Sequence, residues 1–173
     1  MIAAANTPLL QVRDLHVRFG AKDVVRGVNF DIAAGEKLAL VGESGSGKTI
    51  TALSLLRLAG DAVVQGGAVF KGRDLLQLSE REMRGVRGGD IAMIFQEPMT
   101  ALNPLMTVGR QISEVLELKQ ALSQAQSWQA AIELIASTGI PEPERRATAF
   151  PHQLSGGQRQ RAMIAMALAS RPA

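Results

Sequence analysis

The 173-residue chain contains no cysteine and no tyrosine, one tryptophan and two histidines. The absence of cysteine excludes disulfides, cysteine-ligated zinc, iron–sulfur clusters and a thiol nucleophile within the chain, and fits a reducing compartment. Two histidines cannot assemble a three-histidine metal site. With aromatics at 3%, a core has to be aliphatic, built from Leu, Ile, Val, Met and Ala. Long apolar runs are also lacking. The longest unbroken one, Ala162 to Ala169, falls far short of the roughly 20 residues that span a bilayer. The opening MIAAANTPLL has neither a basic n-region nor a true apolar h-region, so it is not a secretory signal. The chain is expected in the cytoplasm, with any membrane role exerted through a partner.

What is present is ample apolar content, 46% of residues, enough for one globular domain and too much for a disordered chain. Nineteen basic against sixteen acidic residues leave +3. That balance admits an acidic partner such as nucleotide, nucleic acid or membrane surface and demands none.

Apolar residues at or near period two predict strands over 9–19 and 24–32, the second closed by the Ala33-Ala34-Gly35 turn. Lys37 to Val41 has the length and flanks of a buried parallel strand. A helical pattern follows over 49–58. Residues 62–70 suggest another strand, interrupted at Gly66-Gly67, and 91–95 a further one. Ser79 followed by Glu82 is a capping-box pattern opening a short helix. Beyond Asn103-Pro104 come two helices, 107–120 and 124–137, closed off by Pro141 and Pro143. A last helix over 156–170 is apolar on most of its circumference beyond Arg161, which predicts burial. The order predicts an α/β core carrying a helical subdomain.

The strongest chemical signal is Gly42-Glu43-Ser44-Gly45-Ser46-Gly47-Lys48-Thr49, a full G-x-x-x-x-G-K-[ST] pattern between an apolar run and a helix. Glycines let successive backbone N–H groups turn inward toward phosphate oxygens, and the helix that follows points its positive end at the same place. Lys48 would reach the β- and γ-phosphates. The Thr49 hydroxyl would ligate Mg2+, a cation that takes oxygen ligands and keeps its waters. A second signal is Leu154-Ser155-Gly156-Gly157-Gln158, where Ser155 is a natural N-cap and two glycines leave a helix start unobstructed.

The LSGGQ stretch downstream of the phosphate loop resembles the signature of ATP-binding cassette (ABC) ATPases. Between the two, Ile94-Phe95-Gln96-Glu97-Pro98 looks like that family's Q-loop. FQEPMTALNP (95–104) and FPHQLSGGQRQR (150–161) are similar to the dipeptide, oligopeptide and nickel importer ATPases. RGVRGGDIAMIFQEP (84–98) looks most like the subgroup with two cassettes fused in one chain. The fold implied is an α/β P-loop NTPase, an ABC ATPase cassette with an antiparallel β subdomain and a helical subdomain, the C-terminal part of the core missing. Residues 1–8 would be a leader, 9–104 the incomplete ATP-binding core with its β subdomain, and 105–173 the helical subdomain ending in the signature helix.

The resemblance also implies roles. Phe19 sits where the family stacks an aromatic, often tyrosine, on adenine. ATP and Mg2+ would be held by Gly42 through Thr49 together with Ile50. Gln96 would sense Mg2+ and the γ-phosphate and move with the membrane partner. Lys48 and Gln96 would serve catalysis, and Thr49 and Gln96 the metal. Ser155, Gly156, Gly157 and Gln158 would contact the ATP held by a second cassette paired head to tail. Transmembrane permease subunits and, indirectly, an external solute-binding protein are the implied partners, at the cytoplasmic face of a bacterial inner membrane; nucleic acid is not expected. The implied function is an ATP-hydrolysing subunit of an importer for peptides or related small solutes. The alternatives are a soluble ABC ATPase acting in DNA repair or on ribosomes, and a non-hydrolytic nucleotide-binding fragment.

The family pattern continues, after the signature helix, with an apolar strand ending in Asp-Glu, a D-loop and a switch histidine. None follows Ala173, and Asp90 before Ile91 has the wrong order to substitute. The chain therefore reads as part of a longer ATPase, expected by itself to bind nucleotide poorly and not to turn it over. His16 reads as a surface residue, His152 as a loop or packing residue, Met93, Met163 and Met166 as core filler, and Arg81, Arg84 and Arg87 as a solvated face or, alternatively, a contact to a membrane partner or phosphate.

Overall fold

The computed structural model describes residues 7–96 and 101–173. Its chain divides into two compact units, Met1–Met83 and Arg84–Ala173.

The first unit is built on a four-stranded antiparallel sheet in the order β2-β1-β3-β4, from β1 (Leu10–Phe19), β2 (Lys22–Ile32), β3 (Val63–Phe70) and β4 (Arg73–Asp74), with helix α1 (Lys48–Leu55). Along β1 the residues Leu10, Val12, Leu15 and Val17 are buried while Arg13, Asp14, His16 and Arg18 face water. The step of three between Val12 and Leu15 is a β-bulge: the register against β2 shifts there and Asp14 takes a φ of 47°. One extra residue returns the following apolar positions to the buried face. Asn29 Oδ1 accepts the Asp14 N–H at 2.9 Å, and the Asp14 carboxylate lies 3.0 Å from His16 Nε2, so His16 is on the surface as expected. The glycine pair does not interrupt β3: Gln65 pairs with His16 and Gly67 with Arg13, on either side of the bulge.

Helix α1 stops at Leu55, earlier than the apolar pattern suggests. Arg57 adopts a φ of 52°, and the Leu58 N–H turns back to the Leu53 carbonyl at 2.8 Å, a left-handed exit that satisfies an end carbonyl. Helix α2 (Glu80–Val86) starts at the expected capping box. Ser79 N–H donates to Glu82 Oε2 at 2.8 Å, and Glu82 N–H to Ser79 Oγ at 3.3 Å.

Two expected strands are absent. Residues 37–41 form no strand, and Leu38, Leu40 and Val41 are 42%, 43% and 88% exposed. Residues 92–95 likewise form none; Ile91 makes only an isolated bridge to Arg87, and Ile94 and Phe95 are exposed. An apolar run becomes a parallel strand only where a neighbour takes its N–H and C=O groups. Among the described residues no strand pairs with either segment.

The second unit packs helices α3 (Val108–Gln120), α4 (Gln124–Ser137), α5 (Pro143–Ala147) and α6 (Gly156–Leu168) around an aliphatic core. The i, i+4, i+8 residues Val108, Ile112 and Leu116 of α3 meet Ala131 and Ile135 of α4 and Ala162 and Ala165 of α6. Full burial of residues such as Ile112 and Ile135 contributes about 1.5–3 kcal/mol each. Helix α6 buries Ala162, Met163 and Ala165 but leaves Leu168 46% exposed, so it is less enclosed than its composition suggests. Met163 is core, as expected; Met93 and Met166 are half-buried and line a 190 Å3 apolar pocket with Phe95.

Glu117 links α3 to α4. Its carboxylate accepts from Ser127 Oγ at 2.9 Å and from Arg110 at 2.8 Å, and these bonds, Ser127's first, hold it below its ordinary value of 4.5. A depressed carboxylate stabilises the fold above its unfolded value and loses that contribution as pH falls through the folded value. Unfolding midpoints followed by Trp128 fluorescence are therefore expected to fall more steeply below pH 4.5 in the native chain than in Glu117→Gln. Parallel pH profiles would refute this role for Glu117.

Candidate functional site

The stretch from Gly42 to Gly47 forms a loop leading into α1, whose first two residues are Lys48 and Thr49. Gly47 is the N-cap, at φ 91° and ψ 0°, and Gly45 also has a positive φ, 81°. A Cβ on Gly47 would lie 2.9 Å from the Val24 carbonyl oxygen and 3.3 Å from Val25 Cγ2. The loop is thus pressed against β2 at the one residue that can both bend this way and come this close. Thr51 fastens the start of α1, donating from N–H and Oγ1 to the Gly47 carbonyl at 2.8 and 3.0 Å. No acidic residue occupies the first turn of α1, so nothing there offsets the positive helix end.

Lys48 turns back into the loop. Its Nζ donates to Gly42 O at 2.8 Å, Glu43 O at 2.7 Å and Ser46 Oγ at 3.2 Å. Thr49 is exposed, and Ile50 is half-buried. Beside the loop lies an open cleft of about 470 Å3 bounded by Gly45, Ser46 and Thr51 on one side and by Lys22, Asp23 and Val24 of β2 on the other. Phe19 pairs with Lys22 across the β1–β2 hairpin and is half-buried. The structure thus brings the phosphate loop and the hairpin carrying Phe19 into one unit.

The serine–glycine helix start lies in the second unit. Ser155 caps α6 with a reciprocal box: Gln158 N–H donates to Ser155 Oγ at 3.3 Å and Ser155 N–H to Gln158 Oε1 at 3.0 Å. Gln158, expected among the nucleotide contacts, therefore has a capping duty of its own. Gly156 and Gly157 are exposed, and a Cβ at either would meet nothing within 4 Å. Arg159 Nε donates to the Pro151 carbonyl at 2.7 Å, anchoring the 3-10 turn Pro151–Gln153 to α6, and Phe150 stacks on His152 with centroids 5.7 Å apart. Gln96 is exposed at the end of the first described stretch; Glu97 and Pro98 of its motif lie outside the described residues.

One residue without a signature in any motif holds the Asn103–Met106 turn. Gln111 is 7% exposed on α3. Its amide accepts the Asn103 N–H at 2.8 Å and donates to the Asn103 and Met106 carbonyls, each at 3.0 Å. The available signal was a polar residue one position before Ile112 on an otherwise apolar stripe.

Comparison with known proteins gives this arrangement a context. The ABC transporter family profile matches residues 25–173. The chain belongs to the ABC transporter family. It is 58% identical over 172 residues to a peptidoglycan transport ATP-binding protein of Agrobacterium fabrum, covering 95% of this chain and 32% of that protein. It is 49% identical to an oligopeptide transport ATP-binding protein of Bacillus subtilis, covering 96% of this chain and 48% of the relative. The chain thus spans about a third to a half of the length of such curated relatives. Among solved structures, a dimeric post-hydrolysis ATP-binding cassette bound to ADP and Pi superposes with a TM-score of 0.81 at 28% identity, covering 94% of this chain and 70% of that one. The fold class is that of an ABC ATPase cassette, an α/β P-loop NTPase.

Proposed function

We propose that the chain is the nucleotide-binding part of an ATP-hydrolysing ABC importer subunit for peptides or related small solutes. The observation that carries this reading is the Gly42–Thr49 loop, with Lys48 drawn inside it and the start of α1 behind it. Relatives named as peptide and oligopeptide transport ATP-binding proteins support the choice of cargo class.

The residues present fit Mg-ATP. Gly45 and Gly47 give the loop its left-handed turns, and the backbone N–H groups from Gly45 to Ile50 are those that would cradle phosphate oxygens. Lys48 supplies a cation, and the exposed Thr49 hydroxyl supplies an oxygen ligand for Mg2+. Bound Mg2+ would neutralise phosphate charge during transfer. Phe19 offers a π-face for adenine, Gln96 an uncharged donor and acceptor for Mg2+ and the γ-phosphate, and Ser155, Gly156, Gly157 and Gln158 an exposed helix start toward a second cassette's ATP. In this reading residues 9–104 form the ATP-binding part, 105–173 the helical subdomain that meets the permease, and the protein works at the cytoplasmic face of the membrane with an external solute-binding protein.

Deleting the coding sequence is expected to abolish uptake of labelled di- and oligopeptides, restored by a wild-type copy and not by one carrying Lys48→Ala. Unchanged uptake, or nucleotide-dependent binding of the purified protein to DNA or ribosomes, would overturn the importer assignment.

A further inference from the structure

The Lys48 ammonium has three N–H donors and no acceptor. All three are taken up by the loop itself, two by the carbonyls of Gly42 and Glu43 and the third by the Ser46 hydroxyl. The three acceptors are not equivalent. The two carbonyls are backbone, with bonds of 2.8 and 2.7 Å. Glu43 O is fixed further by the Ser46 N–H at 3.2 Å. The Ser46 contact is the longest, 3.2 Å, and belongs to an exposed side chain that can leave by rotating about one bond. The hydroxyl also points to the inside of the loop: a Cβ on Gly42 would lie only 2.7 Å from Ser46 Oγ and 4.0 Å from Lys48 Nζ. Ser46 Oγ therefore sits on the inner side, where the loop's lysine and a phosphate oxygen would have to meet.

We propose that the Ser46 hydroxyl holds the place of a phosphate oxygen at Lys48, so that nucleotide enters the loop by displacing Ser46 from the lysine. The two carbonyls keep Lys48 pointing inward throughout, and only the third bond is exchanged. Ser46 is then a positioning residue with an opposing effect: it pre-orients the lysine and competes with the ligand for it. This inference rests on the phosphate-loop reading of residues 42–49 and assigns Ser46 a part in setting its affinity. The contact is long and exposed, so the ordinary net value of one hydrogen bond applies, corresponding to about a two- to tenfold change in binding.

The test is equilibrium titration of the intact protein that contains these residues, with Mg-ATP and separately with Mg-pyrophosphate, into the millimolar range. The variants are Ser46→Ala, Ser46→Thr and Lys48→Ala. Ser46→Ala is expected to bind both ligands about two- to tenfold more tightly, Ser46→Thr, which keeps the hydroxyl, as the native chain does, and Lys48→Ala not measurably. Unchanged or weaker binding by Ser46→Ala would overturn the proposal while leaving the phosphate loop standing; weaker binding would make Ser46 a direct phosphate ligand. If the native chain and Lys48→Ala bind equally, the phosphate-loop reading itself fails, and the role of Ser46 falls with it.

Discussion

Replacing Gly47 by alanine is expected to cost the chain about 2–4 kcal/mol of stability and to remove measurable Mg-ATP binding. Two independent effects add. At φ 91° an L-residue is in a region it rarely occupies, a strain of about 1–2 kcal/mol. The new methyl would also stand 2.9 Å from the Val24 carbonyl oxygen and 3.3 Å from Val25 Cγ2. Neither neighbour yields easily, because Val25 is 4% exposed and pairs with Val17 of β1. Relief would have to come from the loop, which would swing away from β2 and take the amides, Lys48 and the start of α1 with it. Gly45→Ala separates the two effects. Gly45 has a φ of 81° but nothing within 4 Å of its Cβ position, so it should show the strain without the clash, about 1–2 kcal/mol. Urea unfolding followed by circular dichroism and ATP titration of both variants measures the difference. If Gly47→Ala unfolds and binds like Gly45→Ala, the packing of the loop on β2 is not what holds it.

The parts of the molecule differed in how far the sequence disclosed them. The Gly42–Thr49 motif was legible in the sequence, because its glycines and lysine stand at fixed spacing and its contacts are local: Lys48 Nζ bonds to Gly42, Glu43 and Ser46, and the Thr51 hydroxyl to Gly47. The caps at Ser79 and Ser155 were legible for the same reason, each closing over three residues. The strands at 37–41 and 91–95 were not, because periodicity reports the burial a segment is suited to, whereas a strand exists only through partners elsewhere. Val41 at 88% exposure measures that gap. The bulge at Asp14 and the clamp at Gln111 lie between these cases. Both left a trace, a step of three in β1 and an amide beside an apolar stripe in α3, but their meaning depended on Asn29 in one case and on the Asn103–Met106 turn in the other.

Packing geometry governs the second large effect, at Gly109. A general rule favours changing this glycine. It lies in the first turns of α3, and alanine is better than glycine inside a helix by about 1 kcal/mol. Local packing opposes the change. A Cβ at Gly109 would sit 2.8 Å from the Ala147 carbonyl oxygen, 2.9 Å from Ala147 Cβ and 2.8 Å from Trp128 Cζ3. Three groups on two helices would have to retreat together. Ala147 is fully buried at the end of α5, and the Val108 N–H donates to the Ala149 carbonyl at 2.9 Å, so the α5 end cannot slide without breaking the bond that starts α3. Overpacking of this kind costs about 1–3 kcal/mol per site. With backbone and an indole both in the way, the upper part of that range applies and outweighs the gain in propensity. Gly109→Ala is therefore expected to be destabilised by about 1–2 kcal/mol net, with the fluorescence of Trp128, the only indole in the chain, shifted in the folded state. Trp128→Phe should recover part of that loss when combined with Gly109→Ala, giving a coupling that the separate variants do not predict. A Gly109→Ala chain as stable as the native one, or a double variant that is simply additive, would show that α3 and α5 are free to separate and that the close approach is not what the glycine is there to allow.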